Sequence, residues 1–79
     1  MVGEIVYSLA GRDSEKYLVV VGEKDNFLLL CDGKERPIQR PKKKSARHLK
    51  FTGDCLEPNQ FETNRSLIRA LRAYETKGL

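Results

Sequence analysis

The sequence predicts a mainly β fold, a small barrel of about five strands followed by one C-terminal α-helix. Short runs of β-branched and aromatic residues, separated by turn-forming residues, recur as far as residue 52, which is typical of small all-β domains. Beyond that point the apolar spacing changes to that of a helix. Because 79 residues provide only one small core, we expect a single domain, with the barrel over 1–52 and a loop and packed helix over 53–79.

Three apolar runs in the first half of the chain predict strands, and the first of them is rich in β-branched and aromatic residues. They are Glu4–Leu9, Tyr17–Val21 and Phe27–Cys31. A turn is predicted at Lys24–Asn26, where Asp and Asn tolerate a left-handed backbone, and Asp32-Gly33 is a strong turn signal. The last two runs do not alternate between apolar and polar residues. Both faces of these strands therefore need cover, one from the barrel and one from another element.

The two remaining strands are predicted from weaker signals. Pro37 and Pro41 bracket Ile38 and restrict this segment to an edge strand or a loop. The last short strand is predicted at His48–Thr52, and the residues from 53 to 59 have the composition of a loop.

An amphipathic pattern predicts a helix near residues 63–77. Leu67, Ile68, Leu71 and Tyr74 have the spacing of one helical face. Thr63 or Asn64 is the expected N-cap, and Gly78 stands where a glycine would end the helix. We expect the apolar stripe to pack on the barrel and to supply the missing cover.

The positive charge of the chain is concentrated in one segment. Residues 34–50 contain eight lysines and arginines against Glu35 alone, so their net charge is +7, whereas the whole chain carries +4. Such concentration favours an anionic partner over a solvated surface. The simplest alternative is a basic loop that is solvated and has no partner.

Several classes of function have little support. Cys31 and Cys55 form no CxxC pair, and His48 is the single histidine, so neither a zinc site nor another metal site is expected. Cys31 lies in an apolar run and is expected to be a small buried side chain. We find no nucleophile–base set around His48 and no phosphate-binding glycine loop, so we expect no enzyme activity, no cofactor and no small-molecule substrate.

The chain also lacks the signals of membrane insertion or secretion. No run approaches the roughly 20 apolar residues of a membrane span, and the first residues do not resemble a signal peptide. Two cysteines without a disulfide framework suit a reducing compartment. We therefore expect a cytoplasmic protein without a membrane partner.

Two segments resemble KOW-motif RNA-binding proteins. The run Val2–Asp13 followed by Leu18–Val21 resembles the strand, glycine-bearing loop and second strand of the motif. Pro41–Leu49, read as PKKKSARHL, resembles a segment of short bacterial proteins related to the archaeal and eukaryotic large-subunit ribosomal protein "fourteen-e" family. The resemblance covers residues 2–52 and more loosely the helix. It implies an SH3-like barrel and a ribosomal or ribosome-associated protein that binds ribosomal RNA, with ribosomal proteins as further partners.

One position in the first loop departs from the family pattern. Glu15 stands where family members have a glycine. A carboxylate there is expected to repel phosphate and to lack the easy access of glycine to positive φ. We therefore expect weaker RNA contact from this loop than in the family.

The basic segment and the resemblance together predict an RNA-binding surface that reads the shape of structured RNA rather than its sequence. The expected members are Arg12, Lys16, Arg40, Lys42, Lys43, Lys44, Arg47, His48 and Lys50. Arg65, Arg69 and Arg72 would extend it or are simply exposed. The aromatic residues of the strand runs, Tyr7, Tyr17, Phe27 and Phe51, are more typical of core positions than of base-stacking positions.

A different class of function is the alternative. SH3-like barrels also act as protein-interaction modules, and KOW domains dock on translation or transcription machinery. In that case Asp13, Glu15, Glu23 and Asp25 would form the working face. Duplex DNA is a weaker third partner because no recognition helix is evident.

Overall fold

The computed structural model describes residues 2–77, which form one five-stranded antiparallel sheet and a C-terminal helix. The strands are β1 (Glu4–Ser8), β2 (Tyr17–Lys24), β3 (Phe27–Cys31), β4 (Lys42–Lys44) and β5 (Leu49–Cys55), and the helix is α1 (Asn64–Lys77). Short 3-10 helices occupy Ala46–His48 and Pro58–Gln60. The strand order β4-β3-β2-β1-β5 pairs the first strand with the last and leaves β4 and β5 at the two edges of the sheet. The prediction of a mainly β fold with five strands and one C-terminal helix is confirmed.

The sheet buries both of its faces. The inner face forms one apolar cluster, which consists of Val6, Leu18, Val20, Leu28, Leu30 and Leu49. On the outer face, Ile5, Val19 and Cys31 pack against Leu67 and Leu71 of α1. Burying a side chain of this size stabilises a fold by about 1.5–3 kcal/mol. The helix stripe therefore covers the outer face, as the absence of alternation in β2 and β3 predicted.

The turn between β2 and β3 follows from its residues. Asp25 and Asn26 have φ of 52° and 68°, the left-handed backbone that a two-residue hairpin requires and that these residues tolerate. β2 continues past Val21 to Lys24, with an irregularity in register between Val20 and Gly22. The second strand is therefore three residues longer than predicted.

The fourth strand lies elsewhere than predicted. Residues 37–40 form a turn, closed by the bond from the Arg40 N–H to the Pro37 carbonyl at 2.9 Å, and the strand is Lys42–Lys44. The prolines at 37 and 41 cannot donate to a ladder, whereas the lysines pair with Leu28–Leu30 of β3. Lysine is well suited to an edge strand because its charge discourages pairing with another chain.

The last strand also differs from the prediction. His48 belongs to a 3-10 helix, and β5 runs on through Gly53 to Cys55, where a loop was expected. Pairing with β1, including Glu4 opposite Cys55, holds this extension in the sheet. Gly53 has φ of +84°, a conformation open to glycine, within a register irregularity. β5 therefore crosses the expected division at residue 52.

The helix begins as its sequence predicts. The Thr63 hydroxyl accepts the N–H of Ser66 at 3.1 Å, and the Ser66 hydroxyl accepts the N–H of Thr63 at 3.2 Å. These reciprocal bonds satisfy backbone donors that a helix start leaves unpaired, so Thr63 is the N-cap. Gly78, the predicted end of the helix, lies outside the described residues.

Candidate nucleic-acid interface

The first loop is fixed to the β3–β4 connection by a buried ion pair. The Arg36 guanidinium donates from Nε and Nη2 to the two carboxylate oxygens of Asp13, each at 3.2 Å. Asp13 is only 3% exposed, and its hydrogen bond raises the pKa of Arg36. Bidentate pairs of this kind are strong and directional. Arg36 is thus a structural residue, although it belongs to the basic segment.

Lys16 is held by acidic partners in the same place. Its ammonium donates to the Glu35 carboxylate and lies 3.8 Å from an oxygen of Asp32. The bond to Glu35 is the main reason that the pKa of Lys16 is raised. We call Asp13, Lys16, Asp32, Glu35 and Arg36 the loop clamp. Because its charge is neutralised within the clamp, we leave Lys16 out of the candidate interface.

The turn after β3 is packed against α1. An oxygen of Asp32 accepts the N–H groups of Lys34 at 2.9 Å and Arg36 at 2.8 Å. Gly33 has φ of +86°, and a Cβ on it would lie 2.6 Å from the Asn64 carbonyl oxygen, so only glycine fits. The Asn64 side chain also accepts the N–H of Ile38 at 2.7 Å. The start of the basic segment therefore has a defined position against the helix.

Lys44 connects β4 to the first loop. Its half-buried side chain donates from Nζ to the Ala10 carbonyl at 2.6 Å. The Ser8 hydroxyl donates to the same oxygen at 3.2 Å. Nearby, the Leu9 N–H donates to the His48 carbonyl at 2.9 Å. Lys44 therefore positions the loop. Like Lys16, it is an expected RNA-binding residue whose ammonium group bonds to another part of the protein.

Beyond the clamp, the basic segment lines a groove. This basic groove encloses about 380 Å³ and is lined by Glu35, Arg36, Pro37, Arg40, Pro41, Lys42 and Lys43. Arg40, Lys42 and Lys43 are exposed. Within residues 2–77, no carboxylate lies within salt-bridge distance of these three side chains, whereas Glu35 and Arg36 already have partners. Three uncompensated cations thus line one concave surface.

The strand conformation of β4 separates the three consecutive lysines. Lys42 and Lys44 are opposite Leu30 and Leu28, whose side chains belong to the inner face, whereas Lys43 is opposite Leu29 on the outer face. The Lys43 Nζ lies 5.2 Å from the centre of the Phe27 ring. Lys42 and Lys43 therefore leave the edge strand toward opposite faces, because strand residues alternate, and both border the groove at that edge.

A second group of basic residues lies near the first loop. The bonds from Lys44 to Ala10 and from Leu9 to His48 bring this loop beside the 3-10 helix that contains Arg47. Arg12 and Arg47 are exposed, and His48 is half-buried. We call Arg12, Arg47 and His48 the loop end. The exposed Lys50 lies on β5 opposite Tyr7.

The aromatic residues divide into packed and exposed ones. Tyr7 packs against Tyr17 with tilted rings whose centres are 4.9 Å apart, and Tyr17 contacts Tyr74 edge-on at 5.3 Å. These rings consequently support the contact between the sheet and α1. Phe27 and Phe51, in contrast, are 40% and 41% exposed. Their exposure was not predicted, since aromatic residues in strand runs usually belong to the core.

One of the four residues of the expected acidic face is buried. Asp13 is buried in the loop clamp, while Glu15, Glu23 and Asp25 are exposed. Glu15 has φ of 63°, so it adopts a left-handed backbone that glycine would reach more easily. The loop thus keeps the positive φ at position 15, and glutamate adopts it at a higher conformational cost than glycine would.

The thiols and acids offer no metal site among the described residues. No group of three or more His, Cys, Asp or Glu side chains in residues 2–77 is arranged to hold an ion. Cys31 is buried, as expected, and burial raises the pKa of its thiol to about 11. Cys55 is exposed. No helix between residues 2 and 77 is both long and apolar enough to cross a membrane.

Comparison with known proteins adds no family to this geometry. A scan against protein-family models found no match, and a search of curated proteins found none either. The contacts, charges and exposures given above are therefore the basis of the function proposed below.

Proposed function

We propose that the protein binds RNA without catalysing a reaction, through the basic groove and the neighbouring loop end. The observation that carries this proposal is the division of its cations. Arg36 is paired with the buried Asp13 and Lys16 with Glu35 at the surface, whereas Arg40, Lys42 and Lys43 are exposed in one groove without carboxylate partners among residues 2–77. Uncompensated cations in a concave surface attract a polyanion.

The expected binding energy comes mainly from phosphate contacts. Each phosphate neutralised by a lysine or arginine releases counterions, so affinity falls as salt concentration rises. The groove supplies three cations, and the exposed Arg12, Arg47 and Lys50 offer further contacts outside it. His48 contributes less because its side chain is half-buried.

The target that best fits this surface is structured ribosomal RNA. The basic groups are held in a defined arrangement by the turn that contains Pro37, by the pairing of β4 with β3 and by the loop clamp. A surface of defined shape suits structured RNA, whose base edges are inaccessible. The resemblance to KOW proteins supports the same target. We infer a cytoplasmic, ribosome-associated role, with ribosomal proteins as neighbours.

The alternative function is a protein-interaction module, and the test must distinguish it from RNA binding. Asp13, one of the four acidic residues expected to form the working face of such a module, is buried and cannot contact a partner. Docking through apolar surface would give an affinity that changes little with salt, whereas RNA binding predicts a log–log slope of about −0.7 to −0.9 for each phosphate contact.

The experiment is a titration of a labelled RNA hairpin by fluorescence anisotropy at several salt concentrations. In the groove variant, Arg40, Lys42 and Lys43 are all changed to Gln. The matched helix variant changes Arg65, Arg69 and Arg72 to Gln, so each removes three positive charges from exposed positions.

We expect the groove variant to bind more weakly and its salt slope to be shallower by about 2–3, which corresponds to three lost contacts. The helix variant should stay close to wild type. Equal losses in the two variants would mean that net charge alone attracts the RNA. Absence of binding by the wild-type protein would contradict the proposal.

A further inference from the structure

The outer face of the sheet is only partly covered by α1. The covered part consists of Ile5, Val19 and Cys31. Farther along the same face, Phe27 is 40% exposed and Leu29 is half-buried, and neither belongs to the cluster packed under the helix. A stretch of apolar surface thus remains open at the β2–β3 hairpin.

This open stretch is flat because of a glycine. Gly22 is directly opposite Leu29 in the ladder, so a side chain at position 22 would stand beside Leu29. A Cβ there would meet only the Leu29 Cδ1, at an ordinary 3.5 Å. The surface beside Phe27 therefore has room for a planar group.

Positive charge flanks this surface on both sides. Lys24 is opposite Phe27 in the β2–β3 ladder, and Lys43 is opposite Leu29 in the β3–β4 ladder. Glu23 is opposite Leu28, whose side chain faces the barrel interior, so its carboxylate belongs to the other side of the sheet. An exposed aromatic ring between lysines is suited to stacking a base while the cations hold its phosphates.

Lys43 joins this surface to the basic groove. Its ammonium lies 5.2 Å from the centre of the Phe27 ring, and the same residue lines the groove with Arg40 and Lys42. A nucleotide whose phosphate occupies the groove consequently has its base within reach of Phe27.

We propose that Phe27 is a stacking site for the base of an unpaired nucleotide, with Gly22 and Leu29 as the floor and Lys24 and Lys43 as its phosphate contacts. This inference rests on the proposed function and narrows it. The favoured RNA contains a single-stranded segment beside the helix held by the basic groups, because a base stacked within a duplex cannot reach the ring.

The test uses two labelled probes, a ten-nucleotide single-stranded RNA that contains one 2-aminopurine and a blunt-ended RNA duplex without unpaired bases. Phe27→Leu removes the aromatic ring and keeps an apolar side chain. Phe51→Leu is the matched control because Phe51 is 41% exposed. Phe27→Tyr restores a ring, and Gly22→Val fills the space beside it without removing Phe27.

We expect Phe27→Leu to weaken binding of the single strand by about 5- to 150-fold, since stacking of one base is worth about 1–3 kcal/mol. Gly22→Val should act in the same direction. Phe27→Tyr and Phe51→Leu should bind like wild type, and the 2-aminopurine fluorescence should be quenched only by proteins with a ring at position 27. Binding of the duplex should change little.

Two results would overturn the inference, and they are distinguishable. If the wild-type protein binds both probes and Phe27→Leu binds the single strand equally well, the stacking site is wrong while RNA binding stands. If the wild-type protein binds neither probe, the proposed function fails and this inference fails with it.

Discussion

The loop clamp and the basic groove contain the same kinds of side chain but use them in opposite ways. In the clamp, the Arg36 guanidinium meets a buried carboxylate at 3.2 Å, and Lys16 is paired with Glu35. In the groove, a few residues farther along the chain, Arg40 and Lys42 are exposed. The clamp uses positive charge to fix the first loop, and the groove leaves positive charge available.

This difference shows that a count of basic residues overstates the binding capacity of a segment. The 34–50 segment carries a net charge of +7. Arg36 is neutralised inside the fold, and Lys44 is half-buried against the Ala10 carbonyl. An internal ion pair and a polyanion compete for the same cation, so the residues without internal partners are expected to dominate binding.

The largest expected effect is on the clamp. Asp13→Ala removes the buried partner of Arg36, and breaking such a pair should lower the free energy of unfolding by about 2–4 kcal/mol, because it strands a partly buried charge. The measurement is the urea midpoint. Glu23→Ala is the control, since Glu23 is exposed, and it should change stability by less than about 0.5 kcal/mol. A similar small change for Asp13→Ala would show that the pair does not hold the loop.

Lys44 and Lys42, two residues apart on β4, compare a lysine bonded within the protein with an exposed one. Lys44→Met removes the 2.6 Å bond to Ala10 and should lower the free energy of unfolding by about 1 kcal/mol. Lys42→Met should leave stability unchanged within about 0.5 kcal/mol but should weaken RNA binding several-fold. Urea unfolding and anisotropy titration of both variants test this. If Lys42→Met were the more destabilising variant, the assignment of roles would be reversed.

Glu15 tests the first loop separately from the clamp. Because its φ is 63°, Glu15→Gly should raise the free energy of unfolding by about 0.5–1 kcal/mol. Glu15→Gln removes the charge but retains the strained backbone, so its stability should stay near wild type. Both variants should bind RNA slightly more tightly through the loss of a negative charge. Greater stability in Glu15→Gln than in Glu15→Gly would contradict a backbone origin.

The smallest expected effect concerns the pH dependence of Lys16. Since Glu35 raises the pKa of Lys16 in the folded state, the pair contributes its full stabilisation below the ordinary value of 10.5 and loses it as pH rises through the folded pKa. The pair is partly exposed, so this contribution should stay below about 1 kcal/mol. We expect the difference in stability between wild type and Lys16→Met to shrink at alkaline pH. A difference that grows there would contradict the pairing.

The sequence predicted the regular elements well and the irregular ones poorly. β1 follows from its β-branched and aromatic residues, β3 from an uninterrupted apolar run, and α1 from the helical spacing around Leu67. β4 was placed wrongly because three lysines have low strand propensity, and only their pairing with Leu28–Leu30 makes them a strand. The extension of β5 beyond Gly53 likewise depends on its pairing with β1.

The candidate site was predicted as a segment but not as a surface. Arg40, Lys42 and Lys43 were expected from the charge density of the segment together with the resemblance to KOW proteins. The internal roles of Lys16 and Lys44 were not, because their partners Glu35 and Ala10 are distant in sequence. Phe27 is exposed because α1 does not cover that part of the sheet. The position of the helix on the sheet cannot be predicted from the residues around Phe27.

The most direct test of the central claim is crosslinking of the tagged protein to RNA in the cell, followed by sequencing of the recovered RNA. The wild-type protein and the helix variant should both enrich ribosomal RNA, and the groove variant should lose it. Recovery of no RNA above background by the wild-type protein, or equal recovery by the groove variant, would contradict the claim that Arg40, Lys42 and Lys43 hold the RNA.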